Sequence, residues 1–456
     1  RRLAQSGLLF LDGATGSNLQ KQGMPVGVCP ELWITEHEEI MSGLQKAYLE
    51  AGTNILYAPT FTANRIKLKE FDLEDRIEEL NHKLVEISKR AADGKALVAG
   101  DLTMTGQQLK PMGPLDFEEL IDVYKEQIRY LTEAGADLLV VETMMSLQES
   151  RAALIAAKET CPDIPVMVTM TFESDGRSLF GTDAATAAIV LSSLGADAVG
   201  ANCSTGPDQM AEVIRRMAKV TDIPIIAKPN AGLPSLDEKG QTVYDMGPEE
   251  FGADMELLLD AGAQILGGCC GTTPEHIRLL AERLKNKPVK ERHIEKKTVV
   301  SSYTHTVTFG ARPILIGERI NPTGKPRLKQ ALREGDLEYL CREGIAQTEH
   351  GADILDVNVG LPELDEPAVM ERAIINLQSV TNTPLQIDTS NVEAMERALR
   401  IYNGKPLVNS VNGKEESLHT VLPLVKKYGA AVVALTLDEK GIPASAAERV
   451  AIAEKI

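Results

Sequence analysis

A chain of 456 residues, 43% hydrophobic and 25% charged, is long enough for two or three domains and apolar enough to bury their cores, which excludes a single small module and a disordered chain. Forty-eight basic residues against 66 acidic ones leave a net charge of −18, so nucleic acid and anionic membranes are not expected partners, and no run approaches the roughly 18 apolar residues of a membrane helix. Six cysteines are too few for a disulfide scaffold and fit a reducing, cytoplasmic setting. The opening Arg1-Arg2-Leu3-Ala4 has no long apolar region, no cleavage site and no initiator Met, so the chain looks trimmed.

From there a repeated phrase organises the first 280 residues: a glycine, one or two small or polar residues, then a short apolar run. It stands at Gly52-Thr53-Asn54, Gly135-Ala136-Asp137, Gly195-Ala196-Asp197 and Gly262-Ala263-Gln264. Glycine just past a helix end is the usual left-handed cap, and an unbroken apolar run after it reads as a strand covered on both faces. Eight such runs follow in order: Leu8–Asp12, Asn54–Ala58, Ala96–Asp101, Leu138–Glu142, Pro165–Thr171, Ala198–Cys203, Pro224–Lys228 and Gln264–Cys269. Between them lie amphipathic stretches such as Glu118–Ala134 and Gln209–Val220. Eight alternating strands and helices fit a (β/α)8 barrel; an open doubly wound sheet is the rival. Polar residues favour the barrel, because Asp12, Asp101, Glu142, Asn202-Cys203, Asn230 and Cys269-Cys270 all stand at strand C-termini, which a barrel gathers at one mouth.

A basic stretch from Arg283 to Lys297, followed by the polar Ser301 to Thr308, reads as a solvated helix end and linker. The same grammar then restarts with runs at Ile314–Glu318, Ile354–Asn358, Leu385–Asp388, Leu407–Val411 and Ala431–Leu437. The expected organisation is therefore two tandem (β/α)8 barrels: the first over 1–283, a linker over 284–311, and a second over 312–456. With five strands by Ile456 the second is incomplete in this chain, and its remaining units are expected beyond that residue.

Cys203 ends the sixth run in Asn202-Cys203-Ser204-Thr205-Gly206, and Cys269 and Cys270 end the eighth in Gly267-Gly268-Cys269-Cys270-Gly271-Thr272-Thr273-Pro274. A barrel mouth would bring the three sulfurs together. Two readings stand: a soft-metal site, zinc with one open position, or three buried small apolar residues. Cys29, Cys161 and Cys341 match no such pattern and read as packing residues.

The Gly-Gly-Cys-Cys-Gly-Thr-Thr-Pro string with its earlier Asn-Cys resembles the homocysteine S-methyltransferase family, as do Asp12-Gly13-Ala14-Thr15-Gly16-Ser17 and Pro59-Thr60-Phe61-Thr62-Ala63-Asn64-Arg65. The resemblance implies that Cys203, Cys269 and Cys270 bind zinc, with the homocysteine thiol as fourth ligand. It also places Asp12 and Glu142 near the substrate ammonium; a helix cap or an inter-strand hydrogen bond is the plain alternative. Backbone N–H groups from Ala14 and Thr15 to Ser17 could hold the substrate carboxylate. Asn64 and Arg65 could brace the mouth instead.

In the second half, Gly317-Glu318-Arg319-Ile320-Asn321, Asp356-Val357-Asn358, Asp388-Thr389-Ser390 and Asn409-Ser410-Val411-Asn412 close successive strands. This series resembles the pterin-binding barrels of dihydropteroate synthases and methyltetrahydrofolate methyltransferases. A pterin ring presents donors that suit a carboxylate and an acceptor that suits an amide. Asp388 is the expected anchor, with Glu318, Asn321 and Asn409 around it and Asp356 and Asn358 beside them; loop-ordering hydrogen bonds are the plain alternative. The order of the two halves resembles the N-terminal half of the cobalamin-dependent methionine synthase family. It implies that 5-methyltetrahydrofolate supplies a methyl group through cobalamin to homocysteine. The sequence has no Asp-x-His-x-x-Gly cobalamin-ligand motif, so the cobalamin is expected on a domain or partner outside this chain. The alternative is a cobalamin-independent enzyme using betaine or S-methylmethionine.

Overall fold

The computed structural model describes residues 7–110, 112–236, 242–294 and 296–456, so Arg1 to Ala4 lie outside the described residues. The chain divides between residues 294 and 295 into two compact units. In the first, eight strands run in parallel: Leu9–Phe10, Ile55–Tyr57, Leu97–Leu102, Leu138–Met144, Val166–Met170, Ala198–Asn202, Ile225–Lys228 and Ile265–Leu266. From the second on, each pairs with the next in chain order, and the eighth pairs with the first. A parallel bridge from Leu11 to Ile55 and a 2.7 Å bond from Asn54 N–H to the Phe10 carbonyl close the ring between the first and second strands.

The recurring phrase sets the register of this barrel. Glycine ends the helix, as Gly262 does at φ +113°, and the Asn or Asp two residues after the glycine then clasps the preceding strand. Asn54 accepts from the Phe10 N–H at 2.8 Å, Asp137 from Val98 at 2.8 Å and Asp197 from Val166 at 2.9 Å. The clasping residues return their own N–H groups to the carbonyls of those same three residues. Each reciprocal pair fixes the entry of two neighbouring strands at once, and a one-residue slip would break both bonds. Inside the ring, Leu9, Leu11, Ile55, Ala99, Val140 and Ile226 belong to a buried apolar layer. Asp101, Glu142 and Lys228 stand two residues beyond Ala99, Val140 and Ile226, so strand alternation aims them inward too, one level nearer the C-terminal mouth.

The second unit has five parallel strands in chain order, Ile316–Ile320, Ile354–Val357, Leu385–Asp388, Leu407–Asn412 and Ala431–Leu435. Its first strand lies two residues later than expected, because the pairing register shifts between Gly317 and Ile320, and Glu318 therefore sits within the strand rather than at its end. Asp353 clasps the N–H of Leu315 at 2.9 Å, repeating the device of the first unit. The polar stretch expected to be linker contains an antiparallel ribbon, Val299–Ser301 with Thr306–Thr308. The reason is alternation: Val300 and Val307 are buried and pack with Ile354 and Leu407 at the strands' N-terminal ends, while Ser301 bridges to Lys405. No helix among the described residues is long and apolar enough to cross a membrane.

Candidate active site

The three cysteines meet at the mouth of the first barrel, their sulfurs all within 4.8 Å of one another, with Cys203 Sγ 3.9 Å from Cys270 Sγ. The backbone is bent to achieve this. Cys203 and Ser204 both hold φ +63°, a left-handed conformation uncommon for residues with a side chain. Both cysteine loops are tied to the C-terminal end of the seventh strand: Cys203 N–H donates to the Lys228 carbonyl at 3.0 Å and Cys269 N–H to that of Pro229, just beyond it, at 2.8 Å. Asn202 fixes one sulfur further. Its Oδ1 accepts from the Thr143 N–H and the Thr169 hydroxyl at 2.8 Å each, leaving Nδ2 aimed at Cys269 Sγ, 3.8 Å away.

This donor set fits zinc. Tetrahedral coordination with Zn–S near 2.3 Å separates sulfurs by about 3.8 Å. Among the described residues no further Cys, His, Asp or Glu completes the cluster, which leaves one position open. Hydrogen bonds from Cys203 and Cys269 pull Cys270 down to about 3, and bonds with Cys269 and Cys270 push Cys203 far above the ordinary thiol range.

Beside the sulfurs lies a buried charged cluster, Asp12 being tied through its carbonyl to the Gly268 N–H next to Cys269. Asp12, Asp101 and Glu142 are 2%, 5% and 8% exposed, and the Lys228 ammonium stands 3.4 Å from Asp12 and 3.5 Å from Glu142. The Asp12 carboxylate also accepts the Tyr57 N–H at 2.7 Å, and Lys228 Nζ lies 3.8 Å from the centre of the Tyr57 ring. Burial raises Asp12 to about 6, against the pull of Lys228, and raises Glu142 and Asp101 as well. Burial opposes the charge on Lys228, but Glu142, Asp12 and Tyr57 outweigh it and hold that lysine protonated.

The other expected homocysteine contacts are placed differently. Ala14 N–H is already committed to Thr272 Oγ1 at 3.0 Å, and its carbonyl accepts from Asn18 and Tyr48, so Ala14 links the first loop to the Cys269 loop. Thr15 precedes the short helix Gly16–Lys21 and makes no side-chain cap. Asn64 caps the helix Arg65–Lys69 and Arg65 pairs with Glu126 at 2.9 Å, both contacts that brace structure. Cys29 and Cys341 are buried and Cys161 is half-buried, each away from the sulfur cluster.

In the second unit Asp388 Oδ2 accepts from Asn358 at 3.0 Å and from Asn321 at 3.4 Å, and Asn409 lies opposite Asp388 on the next strand. Asp356 sits below, buried and bonded to Gln386. Glu318 is exposed and pairs with Lys325 at 2.8 Å. Sequence reading missed Lys228 and Gln386. Each is a polar residue at an inward position of an otherwise apolar run, and that interruption was the available signal.

The first unit is thus a parallel barrel with three converging thiols and a buried charged cluster at its C-terminal mouth, and the second an α/β sheet with its own carboxylate–amide cluster. The homocysteine S-methyltransferase family model matches residues 9–284, and the pterin binding enzyme model matches residues 317–455. The chain belongs to the homocysteine S-methyltransferase family. It is 31% identical over 474 residues to methionine synthase of Mycobacterium leprae (strain TN) and 32% identical over 469 residues to that of Mycobacterium tuberculosis (strain ATCC 25618 / H37Rv). Each alignment covers 98% of this chain and 39% of the relative, so the chain spans about two fifths of the length of these proteins. In fold it is similar to the homocysteine methyltransferase MmuM from Escherichia coli in its metallated form, with TM-score 0.52, 21% identity, 62% of this chain and 99% of the other. The oxidised form of the same protein gives 0.51 at 22% identity, over 60% and 96% of the two chains.

Proposed function

We propose that this chain methylates homocysteine to methionine, taking the methyl group from 5-methyltetrahydrofolate by way of cobalamin. The observation that carries the reading is the pairing, within one mouth, of three convergent sulfurs with buried carboxylates: a thiol end and an ammonium end for one amino acid. Cys203, Cys269 and Cys270 would hold zinc, which when bound stabilises the homocysteine thiolate and, surrounded by three further thiolates, leaves it nucleophilic. Asn202 holds Cys269 in orientation. Asp12 and Glu142 receive the substrate ammonium, and the turn at Thr15 flanks the substrate carboxylate. In the second unit Asp388 accepts from the donor edge of the pterin, with Asn358 and Asn321 fixing its rotamer and Asn409 at the rim. Asp356 and Gln386 form the polar floor beneath. Cobalamin would come from another domain or protein. A cytoplasmic setting suits three thiols that must stay reduced.

The test uses the chain purified anaerobically and loaded with zinc. Homocysteine and free methylcobalamin are expected to give methionine as the methylcobalamin spectrum is lost. Cys269→Ser is expected to lose zinc and turnover together while still binding methyltetrahydrofolate. Zinc-loaded protein that binds homocysteine without consuming methylcobalamin would defeat the cobalamin route and bring betaine or S-methylmethionine forward as donor.

A further inference from the structure

Lys228 is a buried ammonium that zinc binding gives no reason for. Its strand, the seventh, lies between the sixth and eighth, whose ends carry Cys203 and Cys269-Cys270. The carboxylates it meets come from the first strand, on the far side of the eighth, and from the fourth, beyond the sixth and fifth. One residue therefore touches both clusters: its carbonyl receives the Cys203 N–H, and its side chain reaches Asp12 and Glu142. The path is built for it. A Cβ on Gly267 would stand 2.7 Å from Leu11 Cβ, 2.9 Å from the Asp12 carbonyl oxygen and 3.3 Å from Lys228 Cγ, so glycine lets the first and eighth strands close while the lysine stem passes alongside. The Tyr57 ring covers the ammonium from one side.

Three carboxylates confined at this depth repel one another and lose their hydration, and one cation among them repays part of that cost while fixing where the oxygens point. Neither ion pair is short, at 3.4 and 3.5 Å, and neither carboxylate is held by Lys228 on both oxygens. Acceptor capacity thus remains for a second ammonium beside the first.

Resting on the homocysteine reading above, we propose that Lys228 is the positioning residue for substrate ammonium recognition: it holds Asp12 and Glu142 so that they favour an amino thiol over a thiol lacking the amine. The proposal concerns selectivity between two thiols, which a general loss of packing would not alter.

The experiment titrates zinc-loaded chain with L-homocysteine and with 4-mercaptobutanoate, the same skeleton without the amine, and compares affinities. The parent is expected to prefer homocysteine by roughly tenfold or more, and Lys228→Met to collapse that preference toward unity with zinc content unchanged. Lys228→Arg, which keeps the charge, is expected to keep most of the preference; it also decides the matter should Lys228→Met not fold. Equal weakening of both thiols in Lys228→Met, or loss of preference in a folded Lys228→Arg equal to that in Lys228→Met, overturns the proposal. A parent that binds neither thiol sinks the homocysteine reading itself, which is a different failure.

Discussion

Asp356 is 3% exposed, and its burial lifts the carboxyl from 3.8 to about 6, with Asp388 and Glu318 adding to the lift and Gln386 opposing it. The folded chain therefore holds this proton more tightly than the unfolded one. The sign follows from linkage: stability from this group is greatest below pH 3.8, declines as pH rises toward about 6, and is level above that. Asp356→Asn is expected to remove that decline, making the variant more stable than the parent above pH 6 by up to about 2 kcal/mol. Urea unfolding of both proteins at pH 4, 5, 6 and 7 measures it; parallel profiles would contradict the assignment. The same residue shows how a buried carboxylate can be kept at the expense of stability, since a neutral residue would fold better there.

At the level of elements, the first barrel was legible because one phrase does two jobs. Glycine stops a helix and the Asn or Asp two places on clasps the next strand's neighbour, so the second, fourth and sixth strands fall within a few residues of where alternation and glycine place them. The sulfur cluster was legible for a related reason: strand ends in a closed parallel ring share one face. What escaped was set by three-dimensional neighbours. Lys228 reads as an ordinary strand-ending lysine until the ring brings Asp12 and Glu142 to it. The ribbon around Val300 and Val307 reads as linker because its burial depends on Ile354 and Leu407, far along the chain. Close backbone approach is equally invisible in sequence. A Cβ on Gly200 would come within 2.0 Å of the Ile226 carbonyl oxygen, between the strand that leads to Cys203 and the strand that carries Lys228. Gly200→Ala is expected to lower stability by about 2–3 kcal/mol and to weaken zinc retention by prising these strands apart. Chemical denaturation and zinc competition with a chelator test both parts, and an alanine variant matching the parent in each would mean the strands move freely.

For the whole molecule, two compact units with separate cores predict two separable binding activities. Asp388→Asn is expected to weaken methyltetrahydrofolate binding by roughly tenfold or more while zinc content and homocysteine affinity stay at parent values. Calorimetric titration of each ligand checks this, and unchanged folate affinity would remove Asp388 from the site. The ribbon beneath the second sheet carries a consequence for how that unit comes together during synthesis. Ser301 leaves the ribosome long before Lys405, its bridging partner, and Val300 and Val307 wait equally long for Leu407. Contacts this distant in sequence close late and slowly. The piece made first is thus seated late, and until the fourth strand arrives its two valines stay only partly covered, open to capture by a chaperone or by another nascent chain.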